Sequence, residues 1–216
     1  MKTSVGLIRV LTTNDENLLC AHGRLLESHF PELKVESRCI DDQPKGIYDE
    51  ETCAIALPKI LKLGEKMEQE RVKAIIVSCA DDPGVEELRN IVKIPVVGAG
   101  SSSACLALSC GGRVGTLGIR EGAPRVMKDI LGKHLVAETR PEGVKTTLDL
   151  MTGEGKKNAL SAGEYLRKTG AEVIALACTG YATIGIARDL ERAAGIPVID
   201  AVEAAGLFAW YLTRAR

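Results

Sequence analysis

The sequence predicts an α/β protein of two pseudo-symmetric lobes, each an open, mainly parallel sheet flanked by helices, with the active site in the cleft between them. Three observations predict it. Apolar runs of strand length alternate with longer runs of helical period along the whole chain, the pattern of repeated βα units. The order of those elements is told twice. Two of the strand-like runs end in a cysteine at matching places, VKAIIVSCADDPG at 72–84 and AEVIALACTG at 171–180, which sets Cys79 and Cys178 99 residues apart.

The first half reads as follows. Residues 4–11 alternate as a strand. Thr12, Thr13, Asn14 and Asp15 form a turn whose short oxygen side chains suit a helix cap. Residues 16–30 carry apolar side chains at helical spacing, and Pro31 ends that helix. A second strand covers 33–40, and a loop with Pro44 and Gly46 covers 41–48. Residues 50–70 make a long amphipathic helix, with interruptions expected at Pro58 and Gly64. The strand at 74–77 runs to Cys79. Asp82, Pro83 and Gly84 then turn the chain into a short helix at 85–91. A strand at 94–97 enters through Pro95, 98–102 is a small-residue loop, and 103–109 is an apolar helix.

The second half repeats this order. Residues 113–119, RVGTLGI, line up with 4–10, SVGLIRV. A helix at 123–131 and a strand at 135–139 follow, then a long loop through Asp149 and Gly153, a helix at 154–168 and the strand leading to Cys178. IPVIDA at 196–201 matches IPVVGA at 94–99, and a small-residue helix at 202–212 matches 103–109. Repeats in sequence are repeats in structure. The expected division is residues 1–98 plus 203–216 for the first lobe and 99–202 for the second.

At 216 residues, with 45% hydrophobic and 26% charged residues, the chain is long enough for a buried core. The net charge of −1 gives no electrostatic case for nucleic acid or an anionic membrane. Only 3% of residues are aromatic, too few for base-stacking platforms. No apolar run reaches the roughly 18–20 residues that span a bilayer, and the N-terminus reads as a first strand. The expected location is the cytoplasm. The seven cysteines lack zinc-site spacing, so no metal is expected. Gly98-x-Gly100 and Gly112-x-x-Gly115 are incomplete as dinucleotide loops, so no nucleotide cofactor is expected either. The apolar helices at 103–109 and 202–212 are candidates for packing between lobes or between subunits of a homo-oligomer.

Two like lobes set equivalent loops on opposite walls of a cleft, so the two thiols would meet the two faces of one substrate carbon. That geometry suits removal of a proton from one face and return of a proton to the other, inverting a stereocentre next to a carbonyl. A thiol near its ordinary acidity of about 8.5 is drawn toward neutrality by amide donors, where acid–base transfer is efficient. Backbone N–H groups in the turns after each strand would hold the developing enolate, worth about 3–4 kcal/mol per donor. A single cysteine at a strand end is more often an inert buried one. A matched pair in a duplicated chain favours chemistry.

These residues resemble the aspartate/glutamate/hydantoin racemase superfamily. The strings that carry the resemblance are Ser78-Cys79-Ala80-Asp81-Asp82-Pro83-Gly84, Ile94-Pro95-Val96-Val97-Gly98, Cys178-Thr179-Gly180 and Gly195-Ile196-Pro197-Val198-Ile199-Asp200. The first string looks most like the hydantoin racemase branch. The resemblance implies a cofactor-independent isomerase with Cys79 and Cys178 as its acid/base pair. Hydantoin racemases usually carry Asn-Pro-Asn-Thr after the first strand, and here only Asn14 matches. Thr179 after the second cysteine resembles the amino-acid racemases instead. The substrate implied is a 5-substituted hydantoin or an amino acid.

Candidate substrate-binding residues are Asn14, Ala80, Asp81, Ser101, Ser102, Thr179 and Gly180. Ser101, Ser102 and Thr179 also suit helix caps. Asp81 and Asp82 suit turn and capping roles better than a base role, and an anion beside Cys79 would oppose its ionisation, which argues against their pointing at it. His22, His29 and His134 read as surface or packing residues. Two other functions stay open: a maleate-type cis-trans isomerase or a decarboxylase of the same superfamily, using one cysteine, and a two-lobed protein that binds a small acid.

Overall fold

The computed structural model describes residues 2–214; of the span expected for the first lobe, Met1, Ala215 and Arg216 lie outside the described residues. The chain divides into two compact units, Met1–Ala99 with Ala205–Arg216, and Gly100–Ala204.

Unit 1 runs β1 (Thr3–Arg9), α1 (Glu16–His29), β2 (Leu33–Cys39), α2 (Glu50–Gln69), β3 (Ile75–Ser78), α3 (Val85–Ile91) and β4 (Val96–Gly98). Its four strands are all parallel, in the order β2-β1-β3-β4. The central strands are covered on both faces, as parallel strands must be. Val5, Leu7, Ile8, Ile75, Ile76 and Val77 are fully buried, each contributing about 1.5–3 kcal/mol of hydrophobic stabilisation. Alternation along the strands divides them. Ile8, Val10, Ile75, Val77 and Cys79 pack with Ile60 and Met67 of α2 and with Val85 and Leu88 of α3. Ser78, one residue out of phase, faces α1 and is hydrogen-bonded to His22.

Helices α1 and α2 begin where the sequence offers caps. The Asp15 carboxylate accepts from Asn17 and Leu18 N–H to start α1. Asp49 and Thr52 form a capping box on α2. Helix α2 is continuous through Pro58 and Gly64, contrary to the expected interruptions. A proline inside a helix costs about 3 kcal/mol, but Ala56 and Ile60 on either side are fully buried and hold the helix to the sheet. Gly64 is a contact point, because the Leu88 side chain of α3 occupies the space a Cβ would need.

Helix α4 (Ala99–Cys110) leads out of unit 1. It replaces the loop expected at 98–102, since residues 99–102 form its first turn. The small residues there are weak helix formers, but Ser103, Ala104 and Ala107 are fully buried, and packing outweighs propensity. Unit 2 continues with β5 (Val114–Leu117), α5 (Arg125–Leu131), β6 (Leu135–Thr139), α6 (Thr147–Leu150), α7 (Gly153–Lys168), β7 (Val173–Leu176), α8 (Gly180–Ile184), α9 (Ala187–Ala194) and β8 (Val198–Ile199). Its strand order is β6-β5-β7-β8, again all parallel. The loop expected around Asp149–Gly153 is instead the short helix α6 and the start of α7. Helices α8 and α9 fill the stretch after Cys178, which hydropathy left unassigned. Helix α10 (Ala201–Thr213) starts in unit 2 and ends in unit 1. In unit 1 it lies on α1: Gly206 admits Leu26 without room for a Cβ, and Trp210 stacks on Phe30 with ring centroids 6.2 Å apart.

Candidate active site

In an open parallel sheet, ligands bind beyond the carboxyl ends of the strands, where the strand order reverses. That point lies between β1 and β3 in unit 1, and between β5 and β7 in unit 2. Cys79 directly follows β3, and Cys178 is the second residue after β7. The two sheets therefore place a cysteine at the same topological position in each unit.

Around Cys79 the turn is tight. Asp82 N–H donates to the Cys79 carbonyl at 3.1 Å, and Val85 N–H donates to the Asp82 carbonyl at 3.3 Å. Asp82 takes a left-handed φ of 51°, and Gly84 caps α3 at a φ of 73°. The Asp82 carboxylate lies against Gly98, leaving no space for a side chain there. This turn directs Asp81 back toward the sulfur: the Cys79 thiol donates to Asp81 Oδ2 at 4.0 Å. For Asp81 the expectation of a side chain pointing away from Cys79 is thus corrected, the left-handed turn at Asp82 folding the loop over its own start, whereas the Asp82 carboxylate lies at Gly98. Cys79 is buried, and so is Ala80. Under the loop, His22 Nδ1 and Ser78 Oγ are 2.8 Å apart, both buried. Arg9, Ser78's neighbour in the β1–β3 register, is buried as well.

Around Cys178 the partners differ. Gly180 N–H donates to Cys178 Sγ at 3.3 Å. A Cβ on Gly180 would stand 2.5 Å from Thr147 Cγ2 and 3.3 Å from both Cys178 Sγ and Leu150 Cδ1. Helix α6 therefore closes directly over the sulfur's loop. It is set there by Asp149, whose carboxylate accepts Lys145 N–H at 2.9 Å, Thr146 N–H at 2.8 Å and the Thr146 hydroxyl at 3.0 Å. Those donors hold the Asp149 carboxyl below the usual range, Lys145 N–H most of all. Tyr181 is fully buried, its hydroxyl donating to the Gly118 carbonyl at 2.9 Å. Burial first, then the nearby Cys178, pushes that hydroxyl well above its ordinary pKa.

The remaining predicted residues fall in two groups. Ala80 and Asp81 share the turn of Cys79, and Thr179 and Gly180 share that of Cys178. Asn14 is exposed in the turn after β1, a turn that Thr12 ties down by donating to the Ile40 carbonyl at 2.6 Å and exchanging hydrogen bonds with Gln43. Ser101 is half-buried and Ser102 buried in the first turn of α4. Sequence reasoning missed Thr147, Tyr181 and the Ser78–His22 pair. Ser78 carried a signal, as the one polar residue in the run AIIVS. Thr147 carried none, since its role depends on how α6 folds back. Among the described residues, no group of three or more His, Cys, Asp or Glu side chains is placed to hold a metal ion, and no helix is long and apolar enough to cross a membrane.

The sequence profile of the family described as Asp/Glu/Hydantoin racemase matches residues 18–207. A hydantoin racemase of Pseudomonas sp. (strain NS671) is 29% identical over 178 residues, covering 76% of this chain and 67% of the relative. A hydantoin racemase of Paenarthrobacter aurescens is 30% identical over 171 residues, covering 74% of this chain and 69% of the relative. Among solved structures, an allantoin racemase from Klebsiella pneumoniae superposes with a TM-score of 0.82 at 23% identity, over 98% of this chain and 87% of the other. That likeness shows a shared fold.

Proposed function

The chain belongs to the Asp/Glu/Hydantoin racemase family and is an isomerase of that kind; from that premise we propose that Cys79 and Cys178 are its acid/base pair. One sulfur, as thiolate, takes the proton from a carbon next to a carbonyl. The other, as thiol, returns a proton to the opposite face. The roles exchange with the hand of the substrate, so no cofactor is required. The observation that carries the reading is topological: each of two sheets with the same strand order presents a cysteine just beyond its third strand in chain order.

The substrate is a 5-substituted hydantoin in this reading, supported by the names of the relatives above; an amino acid is the alternative, supported by Thr179 after the second cysteine. Either has an acidic carbon beside a carbonyl whose enolate needs hydrogen-bond donors. The backbone of Ala80, Asp81 and Thr179 supplies donors beside the sulfurs. Asn14, Ser101, Ser102 and the wall at Gly180 complete the candidate substrate contacts. A reducing, cytoplasmic setting belongs to this reading, because the chemistry needs both sulfurs as thiol or thiolate.

The test is isotope uptake. A single enantiomer incubated with the enzyme in deuterium oxide should lose optical rotation and gain deuterium at the stereocentre. Cys79→Ser and Cys178→Ser should each abolish racemisation. One fully active single variant indicates one-cysteine chemistry of the isomerase or decarboxylase kind. Tight binding of a small acid without turnover indicates a binding protein.

A further inference from the structure

We infer that the resting protein holds Cys178 as the thiolate and Cys79 as the thiol, with Asp81 the positioning residue that keeps Cys79 protonated. The inference deepens the paired-cysteine reading and rests on it for its catalytic meaning.

The two half-sites differ at the second residue after each cysteine. In unit 1 that residue is Asp81, and its side chain accepts from the Cys79 thiol. In unit 2 it is Gly180, and its backbone N–H donates to the Cys178 sulfur. An ionised carboxylate can only accept, so the bond to Asp81 exists only while Cys79 carries its hydrogen. Were Cys79 ionised, two anions would face each other. A backbone N–H can only donate, and it bonds more strongly to a thiolate than to a thiol. The hydrogen-bond polarity is therefore opposite at the two sulfurs.

Burial adds to the difference. Cys79 is 8% exposed and packs among Ile8, Val77 and Val85, surroundings that disfavour charge. Cys178 is half-buried. Other ionisable groups also stand near the strand ends, among them Arg120 after β5 and the buried Asp200 after β8, whose carboxylate accepts Val202 N–H and Glu203 N–H. Asp82, over Gly98, carries the same sign as Asp81. Arg9 and His22 belong to the other face of the sheet, the face of Ser78. In unit 2, Tyr181 stays neutral, and Asp149 is committed to Lys145 and Thr146. Both contacts are built in: the turn at Asp82 aims Asp81, and Thr147 forbids a side chain at position 180.

The proton balance follows. Cys178 thiolate takes the substrate proton and becomes a thiol. The carbanion takes the Cys79 proton, leaving a thiolate beside Asp81. The opposite enantiomer runs those transfers backward and restores the resting form, as does proton exchange with water at both sulfurs. The resting form thus accepts one enantiomer directly.

The test reads each thiol separately. The wild-type protein is alkylated with iodoacetamide across a pH series, quenched and digested, and the labelling rate at each cysteine is read by mass spectrometry. The midpoint of each pH–rate profile reports ionisation, whatever the access of reagent. The Cys178 midpoint is expected below that of Cys79 by about one pH unit or more, the low end of what a neighbouring charge does. Asp81→Asn should move the Cys79 midpoint down and leave that of Cys178 in place. A Cys79 midpoint at or below that of Cys178 overturns the assignment, and an unmoved Cys79 midpoint in Asp81→Asn overturns the role of Asp81. The labelling needs no turnover, so failure of the racemase reading appears separately, as absent deuterium uptake.

Discussion

Replacing Gly180 by alanine sets two known effects against each other at one helix start. Alanine is favoured over glycine in a helix by about 1 kcal/mol, and Gly180 opens α8 at a φ that a side chain can adopt. The added methyl would lie 2.5 Å from Thr147 Cγ2, well inside contact, and 3.3 Å from Cys178 Sγ and Leu150 Cδ1. Overpacking of this kind costs about 1–3 kcal/mol. Thr147 is β-branched and turns only between a few rotamers, so relief comes from moving α6 or the sulfur. The clash should win: Gly180→Ala is expected to lose up to about 2 kcal/mol and most of its activity. Gly153→Ala is the matched control. Gly153 opens α7 in the same way, and no atom lies within 4 Å of its missing Cβ, so that variant should be neutral or stabilised by up to about 1 kcal/mol. Urea unfolding followed by far-ultraviolet circular dichroism gives both values, since Trp210, the sole tryptophan, reports on unit 1. Equal stability and activity in the two variants would refute the packing argument.

Two further outcomes are expected. His22→Ala removes one hydrogen bond of a buried hydroxyl and should destabilise the protein by about 1 kcal/mol; His22→Asn, which returns a polar nitrogen near the Nδ1 position, should recover part of that in the same urea assay. Asp149→Asn should weaken the protein at neutral pH and cease to matter in acid. The Asp149 carboxyl is held below its unfolded value, so its contribution is full above the unfolded pKa of about 4 and is lost as pH falls through the lower folded value. Urea midpoints of variant and wild type should converge in that window, and a constant gap down to pH 2 would show that Asp149 acts by shape alone.

The fold was legible where the chain writes it twice. Strand cores such as AIIVS and VIALA are short apolar runs bounded by turn residues, as buried parallel strands are, and the repeat fixed their correspondence. The misread stretches are those where packing overrules local preference. Residues 99–102 are glycine, alanine and serine, a composition that suits a loop until Ser103, Ala104 and Ala107 are buried beneath them. Pro58 signals a break that burial on either side cancels. At the site, the cysteines were legible because their position in the repeat carries the information. The direction of Asp81 was not, because it depends on a left-handed φ at Asp82, which a non-glycine residue takes only under constraint. Thr147 was hidden for the same kind of reason: its neighbour Gly180 lies 33 residues away in the chain.

The division of the chain also sets an order of events during synthesis. Unit 2 is one continuous stretch, whereas unit 1 is completed by its last segment, Ala205–Arg216. A ribosome therefore releases every residue of unit 2 before α1 can gain the helix that packs on it. Until Trp210 reaches Phe30 and Gly206 seats against Leu26, the face of α1 that they cover stands open to water or to a chaperone. The unit that carries Cys79 thus waits for α10 to cover α1, and the fluorescence of Trp210 times that docking.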